Sequence, residues 1–220
     1  MVLEQYRGRV QPYITRLARP LLGWPPSRVS WTALLLSAGA GVLALSVRWF
    51  GPLLFLPVGV LIFLGGVFDV LDGEVARSTR TTSRRGDFLD HVLDRYGDLL
   101  IVLGIAFSGF VDPILALLAL VSLLLVSYMG TQAQAVGAGR LYGGLLGRAE
   151  RLIVLAFAAL LEFDLSLPWP WAASEPLSRI HLSFLTFTVL DVALLYFVLA
   201  GQWTAIWRAR TTYGSLPPAG

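Results

Sequence analysis

The chain has no cysteine and no lysine, and only two histidines among its 220 residues. Without cysteine there is no disulfide framework and no thiol chemistry. Without lysine there is no amine nucleophile and no Schiff base; all seventeen basic residues are arginine. Charge itself is scarce, at 14% of residues against 56% hydrophobic, and the mean hydropathy is +0.70. These values exclude an ordinary soluble domain. Several stretches approach the ~20 apolar residues that span a bilayer. The fold class expected is all-α, a polytopic membrane protein of one domain over 1–220, with no large soluble appendage. The formal net charge of +3 and pI near 9.6 suit a phosphate-rich or anionic-lipid partner. That charge is too small to argue for nucleic acid, and no basic-aromatic groove is visible.

Six spanning helices are expected, over about 30–50, 53–77, 87–108, 113–137, 148–163 and 180–203, inside a transmembrane core of 30–207. Gly51-Pro52, Asp112-Pro113 and Pro168-Trp-Pro170 punctuate them. Arginines orient the chain. Arg7, Arg9, Arg16, Arg19 and Arg28 precede the first span, and Arg77, Arg80, Arg84 and Arg85 link the second and third. Arg140, Arg148 and Arg151 link the fourth and fifth, and Arg208 and Arg210 follow the last. The opposite connections hold only Arg48 and Arg179. The positive-inside rule puts both termini at the cytoplasmic face of the cell membrane. Trp24, Trp31, Trp203 and Trp207 mark one interface and Trp49, Trp169 and Trp171 the other. Residues 1–29 form a cytoplasmic segment without a signal-peptide core. Within it, 3–20 read as an amphipathic helix on the membrane surface, interrupted at Pro12.

Seven of the fourteen acidic residues crowd into 69–98: Asp69, Asp72, Glu74, Asp87, Asp90, Asp94 and Asp98. A carboxylate within a membrane helix costs about 2.5–3.5 kcal/mol on insertion scales, and a bound divalent cation would offset that cost. Asp69 and Asp72 are spaced i, i+3 and Asp90 and Asp94 i, i+4, so each pair shares a helix face. Two such faces make an oxygen-rich pocket of the kind Mg²⁺ takes. Four carboxylates can hold two ions about 3.5–4 Å apart, as phosphoryl chemistry uses. Gly73 and Ala76 leave room beside the acids, and Arg77 is placed to reach a phosphate.

The run Asp69-x2-Asp72-Gly73-x2-Ala76-Arg77-x8-Gly86-x3-Asp90-x3-Asp94 resembles the complete signature of the CDP-alcohol phosphotransferase family, and the six-span layout extends the resemblance over most of the chain. The resemblance implies displacement of CMP from a CDP-activated lipid by an alcohol, with Mg²⁺ at two sites or Mn²⁺ in its place. It implies that Asp69, Asp72, Asp90 and Asp94 bind metal, with Asp94 also the base on the incoming hydroxyl. It assigns Gly73, Ala76, Arg77 and Ser83 to the CDP-lipid, together with Ser27, Arg28, Val29 and Ser30. It also implies a homodimer and a cytoplasmic active site.

The acceptor depends on a second stretch. Arg148 and Arg151, i, i+3 at a helix start, suit a dianionic phosphate. The run Gly143-Gly-Leu-Leu-Gly-Arg148-Ala-Glu-Arg151-Leu152 resembles the subgroup whose acceptor is inositol 1-phosphate, with a phosphatidyl or archaetidyl donor. One departure stands out. That subgroup has a basic pair after its Ser-Tyr, where this chain has Gly130 and Gln132, so Arg140 or Arg208 must substitute. Glycerol 3-phosphate or serine are the alternative acceptors. A cation transporter is the rival of another class, but its acids should reach the midplane. Glu74, Asp87 and Asp98 receive no role, with Asp87 a candidate helix cap and Asp98 a partner for Arg95. His91 lies off the metal face, His181 lies on the far side, and Asp191 falls in mid-span.

Overall fold

The computed structural model describes residues 7–139, 141, 143–167, 179–182 and 185–217. Arg140, the 168–170 cluster and Trp171 lie outside the described residues, as do the side chains of Arg179 and His181. Seven helices account for most of what is described: α1 Arg7–Ala18, α2 Pro26–Phe50, α3 Phe55–Ser78, α4 Arg84–Ala106, α5 Pro113–Ala135, α6 Arg148–Leu165 and α7 Val189–Ser215. One antiparallel hairpin, β1 Arg179–Leu182 with β2 Leu185–Thr188, precedes α7.

Local chemistry sets the helix ends. Pro26 opens α2, where a missing N–H and a preset φ cost nothing. Residues 27–30 therefore form its first turn, not a stretch before the helix. Pro12 lies inside α1 and does not end it. Ser83, not Asp87, caps α4, accepting from the Gly86 N–H at 3.1 Å. Asp112 caps α5 by accepting from the Ile114 and Leu115 N–H groups at 2.8 and 2.9 Å. The last helix begins nine residues later than expected. Asp191 is consequently in its first turn, not in mid-span. It forms a capping box with Thr188 and also accepts from the Asp112 N–H at 2.9 Å, which ties the starts of α5 and α7 together.

The six helices α2–α7 pack as a closed ring, in the order α2, α3, α6, α7, α5, α4 and back to α2. Small residues let α2 approach both neighbours. A Cβ at Gly41 would collide with the Leu100 carbonyl, and one at Gly104 with the backbone of Gly41. Ser37 of α2 fits against Gly65 of α3 and Gly97 of α4. Phe55, Ile62, Ile101, Ile105, Leu190 and Phe197 fill the interior.

Outside, Leu35, Val42, Phe63, Ile114, Phe157 and Leu199 are exposed, a surface that water would not tolerate and lipid would. Among the described residues, four helical segments are long and apolar enough to cross a membrane: Pro26–Phe50, Pro52–Ser78, Pro113–Ala135 and Val189–Ser215. The other two members of the ring, α4 and α6, carry more charge.

Candidate active site

The N-terminal ends of α2, α4 and α6 meet the C-terminal ends of α3, α5 and α7 at one end of the ring. There Asp69, Asp72 and Asp90 each present a carboxylate oxygen within 4.8 Å of the other two. Helical periodicity explains the gathering. The i, i+3 pair of α3 and the start of α4 face each other across α2, whose Ser30, Ala33 and Ser37 floor the small cavity between them. Asp72 is buried, and among the described residues its Oδ2 has no hydrogen-bond partner. A buried orphan oxygen within a carboxylate triad is the donor set a hard divalent cation takes. The residues present therefore fit a metal.

Asp94 lies in the same cavity but faces Arg148. The Arg148 guanidinium bridges Asp69 and Asp94 through Nη1, and Arg95 Nη2 stands 3.7 Å from Asp94. One turn along α6, Arg151 is buried and donates to Asp98 Oδ2 at 2.7 Å and to the Gly147 carbonyl at 3.3 Å. Arg95 Nη1 approaches the same Asp98 oxygen at 3.1 Å. Asp98, without a role on sequence grounds, is thus the buried anion that two arginines share.

A second, larger cavity adjoins the first, and Asp94 and Arg148 line both. Its wall includes His91, Ser127, Gly130, Thr131, Gly147, Arg151 and Arg208. Gly130 opens it, and Arg208 occupies the space beside that glycine. The Arg208 guanidinium is buried, donates to the Val126 carbonyl at 2.7 Å and the Gly143 carbonyl at 3.1 Å, and lies 3.1 Å from where a Gly130 Cβ would stand. Gln132 is exposed and is not in this wall.

The residues that the resemblance assigns to a CDP-lipid lie at the start of α2, on α3 and at the cap of α4. Gly73 and Ala76 are half-buried on α3, and Arg77 is exposed but folds back so that Nη1 lies 3.3 Å from a Gly73 Cβ position. Ser27 and Arg28 are exposed, while Val29 and Ser30 are buried. Of these four, Ser30 lines the acidic cavity. Ser83 is exposed and its hydroxyl caps α4. Glu74, without a role on sequence grounds, is buried and accepts four side-chain hydrogen bonds. The signal that could have found it is the Gln11/Thr15 pair, at i, i+4 spacing on the amphipathic segment.

The family model described as CDP-alcohol phosphatidyltransferase matches residues 29–207. An archaetidylinositol phosphate synthase of Methanothermobacter thermautotrophicus is 30% identical over 209 residues, covering 94% of this chain and 95% of that protein. Another, of Pyrococcus horikoshii, is 38% identical over 104 residues, which is 47% of this chain and about half (55%) of that protein. The crystal structure of Mycobacterium tuberculosis phosphatidylinositol phosphate synthase with CDP-DAG bound shares the fold, with a TM-score of 0.72 at 24% identity over 94% of this chain and 98% of that one. The same mycobacterial enzyme has been solved with manganese and citrate.

Proposed function

The chain belongs to the CDP-alcohol phosphatidyltransferase family, and on that premise we propose that it transfers the phosphatidyl or archaetidyl group of a CDP-lipid to the hydroxyl of inositol 1-phosphate, releasing CMP. One observation carries the reading. Asp94 and Arg148 form the wall common to a carboxylate-lined cavity and a cation-lined one. A base standing between a metal-bound pyrophosphate and a phosphorylated alcohol is what in-line attack at phosphorus needs.

Asp69, Asp72 and Asp90 hold the divalent metal, with Asp94 beside them, and Mg²⁺ at two sites is the occupancy we assign. A divalent metal held there would supply positive charge against the charge that grows on the pyrophosphate as CMP leaves. Asp94 accepts the proton of the attacking hydroxyl. Gly73 and Ala76 let the nucleotide lie close to α3, and Arg77 and Ser83 contact its phosphates. The first turn of α2, 27–30, borders the same donor site. Arg148, Arg151 and Arg208 surround the acceptor phosphate. Arg208 replaces the basic pair missing at Gly130 and Gln132, its guanidinium lying against Gly130, where a Cβ would stand 3.1 Å from Nη1. The inositol phosphate acceptor is further supported by the two synthases of that name that the chain resembles.

The same physics supports six spans. The charged residues of α4 and α6 that lie within the bilayer depth, such as Asp94, Asp98, Arg151 and Glu162, are buried inside the ring. Their outer faces carry Leu100, Ile153 and Phe157. With α1 on the membrane surface, the arginine distribution puts both termini and the site at the cytoplasmic face. Homodimerisation is part of this reading by family likeness.

The test is CMP release by the purified protein from CDP-diacylglycerol and its ether-lipid counterpart, with inositol 1-phosphate, glycerol 3-phosphate or serine as acceptor. Release with inositol 1-phosphate that stops on chelation and returns with Mg²⁺ is expected. A metal-replete protein that releases CMP with none of these acceptors would sink the proposal.

A further inference from the structure

Glu74 sits on α3 between the metal-site aspartates and the exposed end of the helix. It is buried, and its two oxygens collect donors from two helices. Oε1 accepts from Thr15 Oγ1 at 2.8 Å and Ser78 Oγ at 3.4 Å. Oε2 accepts from Gln11 Nε2 at 2.8 Å and Arg77 Nη2 at 3.1 Å. The helix α1 that supplies Gln11 and Thr15 is seated by an apolar stripe. Ala18 is buried against Val29, Leu71 and Val75, with Ile14 beside it.

Burial changes what the Glu74–Arg77 pair is worth. An i, i+3 pair in open water holds its side chains weakly, because water screens it and the rotamer entropy opposes it. Here α1 covers the carboxylate, so water is excluded from one partner while the other stays 47% exposed. A covered carboxylate needs its cation, and the guanidinium is held where its Nη1 overlies Gly73. Arginine carries five N–H donors in a rigid fork. The pair engages Nη2, and the rest of the fork is available to a phosphate.

We infer that α1 and Glu74 form a latch that positions Arg77 for the pyrophosphate of the CDP-lipid, so that seating of the N-terminal helix sets donor affinity. This rests on the donor-site reading above. Glu74 is a positioning residue and touches no substrate. The latch acts on binding of the nucleotide, not on the chemistry at Asp94.

The experiment measures CDP binding by calorimetry with Mg²⁺ present, on the full chain in detergent, alongside KM and kcat for CDP-diacylglycerol. Glu74→Gln is expected to weaken CDP about tenfold and to raise KM by a similar factor, with kcat within twofold. Arg77→Ala should weaken CDP at least as much, and the double variant should be no weaker than Arg77→Ala alone. If Glu74→Gln does not fold, the pair Gln11→Ala/Thr15→Val keeps the carboxylate, removes its α1 donors, and is expected to weaken CDP about threefold. Multiplying effects in the double variant, or a fall in kcat at constant KM, would overturn the latch. The two readings fail separately. A wild-type protein that binds no CDP ends the donor-site reading and the latch with it. One that binds CDP as tightly when Glu74 is Gln ends the latch alone.

Discussion

Arg151 donates to Asp98 at 2.7 Å, and each side chain is only 4% exposed. This pair braces α6 against α4 beside the site. Removing one partner leaves a buried uncompensated charge, which typically costs about 3–5 kcal/mol. Asp98→Leu and Arg151→Met alone should each lower the unfolding midpoint sharply, and together they should recover most of the loss. A double variant as unstable as the singles would show that the pair contributes through something other than charge.

Asp94→Asn keeps the shape of the side chain and removes its basicity. Turnover should fall at least a thousandfold, within the range a positioned base contributes, of about 10²–10⁴, with added loss from the altered metal site. Membrane insertion and CDP binding should persist. Retained CMP release would remove Asp94 from its role as base.

The crossing of α2 and α4 depends on two glycines whose Cβ positions are filled by backbone. Gly41→Ala and Gly104→Ala should push the helices apart, at about 1–3 kcal/mol each as overpacking costs. Because α2 floors the acidic cavity, activity should fall in step with stability. A thermal scan paired with a rate measurement checks this; unchanged values would mean that the helices yield without cost.

Arg80 is the C′ residue of α3 at φ 54, with the Thr81 N–H bonded to the Ala76 carbonyl at 3.0 Å. Glycine is the residue this left-handed position favours. Arg80→Gly should raise stability by about 1 kcal/mol, the penalty an L-residue carries there. A lowered midpoint in a detergent melt would show that the Arg80 side chain contributes more than its backbone costs.

Asp191 accepts from the Thr188 and Asp112 N–H groups, both at 2.9 Å. Asp191→Ala strips the cap from α7 and the tie to α5, and should cost about 1–2 kcal/mol. Since the residue lies at the end of the ring away from the aspartates, KM values should not move. Loss of stability without change in KM distinguishes a cap from a functional intramembrane acid.

How much was legible follows from the range of each interaction. The aspartate faces were, because i, i+3 and i, i+4 spacing acts within one helix. The start of α7 was not. Residues 180–188 hold five Ile, Leu and Phe residues among Thr, Ser and one His, with no Asp, Glu or Arg, and such a run reads equally as a buried helix or a strand. Arg95 as a partner of Asp98 was legible at i, i+3, but Gln11 as a partner of Glu74 and Arg151 as the second partner of Asp98 were not, since they stand 63 and 53 residues away.

The amino-acid sequence by itself determined a helical membrane chain with a cation-ready carboxylate set, because hydropathy, arginine asymmetry and helical period are local properties. Only the tertiary structure decided which partners meet across helices: Arg148 with Asp69 and Asp94, Arg151 with Asp98, and Gln11 and Thr15 with Glu74. Those pairings depend on how closely and at what rotation the helices pack. Small residues far from the site, such as Gly41 and Gly104, set that approach.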